Sequence, residues 1–389
     1  MASDRDLVDD RLAAAGVDGY LVDADGTDSH QLYLSGFDAP DPFLTLREPG
    51  ETTVLVSGLE YGRAEAEADA TVERLSAYGY RERVADYGRT EGRVRTYAAF
   101  LDAHDVDAVL TPERFPLHTA DGLRDRGVSV AVDDEDVLST ARATKAETEI
   151  DHVREAQAAN ERAMAAAEAL LAEATVRDGV LHHDGEILTS ERVTREIEVT
   201  LLEAGCALDE TIVACGADAA DPHDRGSGPL EAGEPIVVDI FPRSKTTNYH
   251  SDMTRTFCRG EPTETVREWY DLTEQALAAA LETVEAGATG AEVHAAACEV
   301  YEAAGLATLR SDPETETGFI HSTGHGVGLD VHEAPGLNPD GDELEAGHVV
   351  TVEPGLYDPE VGGIRIEDIA VVTEDGHENL TDYPVELTV

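Results

Sequence analysis

The chain has 389 residues, more than one hydrophobic core usually spans, so two domains are expected. Its 82 acidic against 28 basic residues give a formal charge of −54, yet 41% hydrophobic residues and 34 glycines describe a folded α/β protein and exclude a fibrous or disordered one. Asp and Glu are spread along the whole sequence and only Lys145 and Lys245 are lysines, which excludes the clustered basic surface that nucleic acid or an anionic membrane requires.

In chain order, strand-like stretches begin at Val17 (VDGYLV), Thr52 (TTVLVSG), Val106 (VDAVLT) and Val128 (VSVAV), with helical patterns between them. This alternation predicts an α/β domain over residues 1–143. At Thr144 the run T-K-A-E predicts a capping box with Glu147, opening an Ala-rich helix to about Thr175. Its less polar stripe, Val153, Ala156, Ala163, Ala167, Leu170 and Ala174, has the helical period of a face packed on a sheet. Residues 144–389 are therefore read as a second domain.

Within it, Thr189 starts a helix with Val193, Ile197 and Leu201 on one face, ended by Gly205 and followed by the strand TIVACG. Thr289 starts a comparable helix through Val293 and Val300 to Gly305, so the domain reads as two related halves. The most strand-like stretches are PIVVDIF from Pro235, HSDMTRTFC from His250, HVVTVEPGLY from His348 and GGIRIEDIAVV from Gly362, and each carries carboxylates among apolar residues. Burying a carboxylate is costly unless it is paired or bound to a metal. The loop histidines His182 and His183 are expected to be exposed.

A pair of divalent ions requires carboxylate oxygen and imidazole nitrogen, including carboxylates that bridge. Asp239, Asp252, Glu353 and Glu367 offset four positive charges, and His325 supplies a neutral fifth ligand. A hairpin between the strands of Asp239 and Asp252 would put both on one face. Arg365 and Glu367, two apart in a strand, share a face, with Ile364 and Ile366 on the other. Arg365 is then placed to steady a ligand carboxylate from behind.

The motifs H-S-T-G-H-G-V-G-L-D-V-H-E from His321, V-E-P-G-L-Y from Val352, G-G-I-R-I-E-D from Gly362 and S-D-M-T-R-T from Ser251 resemble those of the pita-bread metallopeptidases. These are the relatives of methionine aminopeptidase, aminopeptidase P and prolidase. Residues ahead of Thr144, including YLSGF from Tyr33, resemble the creatinase-type N-terminal domain of the proline-specific branch.

The resemblance implies a pita-bread catalytic domain with pseudo-twofold halves and two divalent metals, Mn or Co first, Zn or Fe as alternatives. Asp239 would chelate one ion, Asp252 and Glu367 would bridge, and His325 and Glu353 would bind the other. Glu353 would also shuttle protons, and a metal-bridging hydroxide would cut the bond before a proline in the second position of a peptide. His332 would hold the substrate and steady the oxyanion, with His321 and His223 lining the same cavity. The alternatives are a prolidase strict for dipeptides, a creatinase-like amidinohydrolase, and a peptide-binding module without turnover; the intact ligand set argues against the last two.

Two departures from the family pattern matter. Asp239 and Asp252 are thirteen residues apart where eleven is usual, putting Phe241 at the usual ligand position. An even insertion preserves side-chain alternation, so Asp239 is kept. Strict dipeptidases often carry an arginine after the H-E-x-P segment, whereas Gly336 follows Pro335 here.

The acidic composition points to a salt-rich cytosol, as in a halophile, because self-repulsion is screened once the Debye length falls to ~3 Å in molar salt. With no basic-then-apolar leader and no run of about 18 apolar residues, a cytoplasmic protein is expected. The resemblance implies a homodimer. Cys206, Cys215, Cys258 and Cys298 form no C-x-x-C pair, so buried reduced thiols are expected.

Overall fold

The computed structural model describes residues 4–389. They form two compact units, divided between Arg142 and Ala143.

The first unit is built on one six-stranded sheet, in spatial order Thr71–Arg74, Glu51–Val56, Phe43–Glu48, Gly19–Ala24, Ala108–Thr111 and Ser129–Val132. Helices cover both faces, as the burial of consecutive residues on the strand Gly19–Ala24 requires. Leu21 packs with Leu44, Leu46 and Phe100 on one side, while Tyr20 and Val22 pack with Val8, Leu12 and Leu138 on the other. The segments between the expected strands are not all helical: Phe43–Glu48 and Thr71–Arg74 are strands as well. Phe43–Glu48 pairs antiparallel with Glu51–Val56 across a tight turn in which Gly50 has a φ of 82°. The sequence R-E-P-G-E carries that turn signal.

The second unit opens with the helix Glu147–Glu173, two residues past the expected cap. Thr144 instead bridges His348, and the Lys145 N–H donates to the Gly347 carbonyl at 2.9 Å. Only half of a capping box forms, one step along: the Glu149 carboxylate accepts the Ala146 N–H at 2.8 Å, and Ala146 has no side-chain acceptor to reciprocate. Ala163, Ala167 and Leu171 of this helix pack against Val213, Val238 and Ile240 of a three-stranded antiparallel sheet. That sheet runs Thr211–Cys215, Ile236–Ile240, Met253–Phe257. The helix Ser190–Glu203 joins the same core through Val193, Ile197 and Leu201.

The other half repeats the scheme. Helix Gly290–Ala303 starts at Thr289, whose hydroxyl accepts the Glu292 N–H at 3.1 Å while the Glu292 carboxylate accepts the Thr289 N–H at 2.8 Å. With helix Glu264–Thr283 it covers a five-stranded sheet of Glu333–Leu337, Gly324–Gly326, Val349–Val352, Asp368–Thr373 and Gly376–Asn379. The Glu264–Thr283 helix escaped the sequence reading, although Val266, Trp269, Tyr270, Thr273 and Leu277 mark its buried face at helical spacing. The cysteines are reduced, with Cys206, Cys258 and Cys298 buried and Cys215 partly so. His182 and His183 are half-buried rather than exposed. Among the described residues no helix is long and apolar enough to cross a membrane.

Candidate metal centre

Asp239 lies in the middle strand of the three-stranded sheet, directly opposite Thr254 in the antiparallel register. Opposite residues share a face and alternate residues return to it, so Asp252 joins Asp239 on one side. The connection is not the simple hairpin expected. Residues 241–252 make an excursion in which Arg243–Ser244 pairs with Cys206–Ala207, and this accommodates the longer spacing.

His325 sits on the short strand Gly324–Gly326 of the other sheet. Its flanking glycines are required by close approach: a Cβ at Gly324 would lie 2.0 Å from the Thr351 carbonyl oxygen, and one at Gly326 would lie 2.1 Å from that of Ala334. The His325 Nδ1 donates to the Gly326 carbonyl at 3.1 Å, leaving Nε2 as the open lone pair. Glu353 follows the strand Val349–Val352, its N–H bonded to the Thr323 carbonyl at 2.7 Å. Arg365 and Glu367 do not share one continuous strand, because Gly362–Arg365 ends before Asp368–Thr373 begins. The alternation survives the break, with Ile364 and Ile366 both in the apolar core and Arg365 and Glu367 both lining the cavity.

These side chains meet at a cavity of about 840 Å³. One ligand atom each from Asp252, His325 and Glu367 lies within 4.8 Å of the other two. His325 Nε2 is 3.3 Å from Glu353 Oε1 and 3.8 Å from Asp252 Oδ2. Arg365 donates to Asp239 Oδ2, to the Tyr357 hydroxyl at 3.0 Å and to Thr254 Oγ1 at 3.1 Å. Thr254 in turn donates to Glu367 Oε2 at 2.7 Å.

The charges are unbalanced without a cation. Burial, and then the neighbouring carboxylates, push Asp252 and Glu367 well above the usual carboxylate range. Burial raises Asp239 too, although the Arg365 guanidinium pulls the other way. Burial also opposes ionisation of Glu353, but without a cation on its Nε2 His325 takes up a proton, and its hydrogen bond and charge outweigh burial and hold Glu353 at about 2. Burial lowers His321 to about 4 and lowers His332, so both are neutral at pH 7.

Among the described residues, Asp239 Oδ1 and Glu367 Oε1 are buried without a hydrogen-bond partner. An orphaned carboxylate oxygen is costly in a protein interior, and a divalent ion is the partner that relieves it. The donor set, oxygen-rich with one imidazole nitrogen, fits such ions.

The remaining expected residues surround this cluster. The His332 ring stands edge-on to His325, with centroids 4.2 Å apart. The residue after it, Glu333, forms a buried ion pair with Lys145 that fixes the start of the strand Glu333–Leu337. His321 Nδ1 donates to the Ser322 carbonyl at 2.7 Å, and its Nε2 accepts the Tyr357 hydroxyl at 3.0 Å. His223 lies on an exposed loop at the cavity rim.

The sequence assigns no site role to Thr254 or Lys145, and leaves Tyr357 open between orienting a substrate and packing. Thr254 was legible, since alternation in D-M-T-R-T puts it on the face of Asp252. The Tyr357 contacts join residues distant in sequence and carry no local signal.

Comparison with known proteins follows the same lines. The model of metallopeptidase family M24 matches residues 151–374. The chain is 38% identical over 256 residues to the "Probable dipeptidase PepE" of Mycobacterium tuberculosis, covering 65% of this chain and 62% of that protein. It is 38% identical over 180 residues to the Xaa-Pro dipeptidase of Pyrococcus furiosus, covering 46% and 49%. The chain thus spans 62% and 49% of the length of these curated relatives. Among solved structures, the prolidase from Pyrococcus horikoshii superposes with a TM-score of 0.79 at 26% identity, covering 99% of each chain. The X-Pro aminopeptidase from Thermotoga maritima gives 0.79 at 26% identity, covering 97% and 100%.

Proposed function

The chain belongs to metallopeptidase family M24, with a creatinase-type domain ahead of a pita-bread domain, and we propose that it is a two-metal Xaa-Pro peptidase. In this reading the domains are residues 1–143 and 144–389, and the metal ligands are Asp239, Asp252, His325, Glu353 and Glu367. The observation that carries it is the cluster itself: Asp252, His325 and Glu367 offer atoms within 4.8 Å of one another beside two orphaned carboxylate oxygens.

When bound, the ions supply Lewis acidity and lower the pKa of water to roughly 7. The chain's own residues do the rest. Glu353, facing the cavity beside His325, takes a proton from the attacking water and delivers it to the departing proline nitrogen. That nitrogen is tertiary in the peptide and leaves as an amine only if a proton reaches it. His332, neutral and on the cavity wall, offers an N–H to the substrate carbonyl and to the oxyanion that replaces it. His321 and His223 line the path. Because both ring nitrogens of His321 are engaged, its part is to hold Tyr357 and, through it, Arg365. Arg365 favours the ionised form of Asp239 against the effect of burial and aims its carboxylate at the metal position.

The peptide class is proposed as Xaa-Pro at the N-terminus of peptides. The dipeptide-only reading is favoured by the names of the Pyrococcus relatives. We propose Mn²⁺ or Co²⁺ as the metal, with Zn²⁺ or Fe²⁺ as alternatives, because carboxylate-rich sites of this kind accept several first-row ions. A homodimer in a salt-rich cytoplasm completes the reading, from the family resemblance and the charge of −54. The test is a panel of Xaa-Pro dipeptides, Xaa-Pro-Yaa tripeptides and Met-Ala peptides in high salt with Mn²⁺. Turnover confined to proline-containing peptides is expected; cleavage of Met-Ala peptides alone would overturn the assignment.

A further inference from the structure

Two of the residues lining the cavity carry a permanent positive charge, Arg225 and Arg365. Arg365 is committed to Asp239 and Tyr357. Arg225 stands at the rim, two residues after His223, and among the described residues its ionic partner is the equally exposed Glu210, with side chains 58% and 53% accessible.

Its backbone is fixed. The Val213 N–H donates to the Arg225 carbonyl at 3.1 Å, anchoring the loop to the strand Thr211–Cys215. The next residue, Gly226, has a φ of 73°, and a Cβ there would lie 1.9 Å from the Val213 carbonyl oxygen. The guanidinium therefore projects from a rigid base, while its pairing with Glu210 is an exposed contact of the kind that contributes little. A carboxylate arriving with a peptide in the cavity is less screened than Glu210 and matches the planar fork of the guanidinium equally well. Around it the protein repels anions, with a net charge of −54, so a free peptide C-terminus is captured only where a local cation offsets that field. The segment after His332 brings no such charge, since Ala334, Pro335 and Gly336 follow Glu333.

We propose that Arg225 anchors the free C-terminal carboxylate of short Xaa-Pro peptides, exchanging its rim partner Glu210 for the substrate. The inference rests on the Xaa-Pro peptidase reading and deepens it, by assigning a determinant of preference for short peptides with a free C-terminus.

The experiment compares one Xaa-Pro dipeptide with the same dipeptide as its C-terminal amide, in the full chain loaded with Mn²⁺ in molar KCl. The unmodified protein is expected to favour the free acid in kcat/KM by about tenfold or more, mostly through KM, as one charge-assisted contact permits. In Arg225→Gln this preference falls toward one, Arg225→Lys keeps part of it, and Glu210→Gln enlarges it by removing the competing carboxylate. No preference in the unmodified protein, or a preference that survives Arg225→Gln, would overturn the proposal.

Calorimetric titration of both ligands separates the two readings. Tighter binding of the acid that depends on Arg225, without cleavage, keeps the anchor and removes the peptidase. Binding of neither ligand removes both.

Discussion

Thr254→Val is the sharpest perturbation of the centre that leaves its proposed ligands in place. Thr254 is fully buried, and its hydroxyl donates to Glu367 Oε2 at 2.7 Å while accepting from Arg365 Nε at 3.1 Å. Valine keeps the branched shape and the strand register but removes both contacts. A hydrogen bond to a charged group is worth ~1.5–3 kcal/mol, and the orphaned Glu367 oxygen would have to be held by the metal alone. Residues that orient ligands in this way typically contribute 10–100-fold to metal affinity, which is ~1.4–2.8 kcal/mol, so the two estimates agree. The assay is calorimetric titration of Mn²⁺ into chelator-stripped protein, with Thr254→Ser as the rescue. A dissociation constant unchanged by Thr254→Val, or weakened equally by Thr254→Ser, would refute the reasoning.

Three further outcomes are expected. Glu353→Gln retains bound metal by elemental analysis but loses ~10²–10⁴-fold in kcat, since a proton carrier is removed while an oxygen donor stays; near-normal kcat would remove Glu353 from the shuttle role. His348 is buried, accepts the Glu345 N–H at 3.1 Å and lies near Lys145, and burial first, then that lysine, lower its pKa to about 4. The unfolded chain takes up this proton near pH 6.5 and the native protein only near 4, so stability is lost as pH falls through that window, by up to ~3 kcal/mol. In His348→Gln the acid limb of a plot of Tm against pH should be shallower, with His321 supplying part of what remains; an equally steep limb would contradict the assignment. Finally, Tm should rise between dilute and molar KCl because the charge of −54 is screened, and a salt-independent Tm would sink the halophile reading.

Much of the second unit was legible because its signals are local. Thr189 and Thr289 sit where a hydroxyl caps a helix start, and the buried Val193, Ile197 and Leu201 follow at helical spacing. Thr144 misled because its backbone is taken up by pairing with His348, a contact 204 residues away in sequence that no local pattern encodes. The Phe43–Glu48 strand has a visible turn signal in R-E-P-G-E, but a strict alternation of strands and helices has no place for the hairpin it forms with Glu51–Val56. At the centre, the acidic residues in apolar strands announced that something must offset their burial. What the sequence could not supply was the set of contacts behind them: Thr254 between Glu367 and Arg365, Tyr357 between Arg365 and His321, and Lys145 against Glu333.

Dependence of turnover on bound divalent ions is what the proposed cluster of carboxylates and one imidazole entails. It is tested most directly by dialysing the protein against EDTA in molar KCl and assaying an Xaa-Pro peptide before and after Mn²⁺ or Co²⁺ is restored. Loss of turnover with the chelator and its return with the metal are the predicted results. Turnover indifferent to EDTA, in protein shown by elemental analysis to be metal-free, would contradict the account.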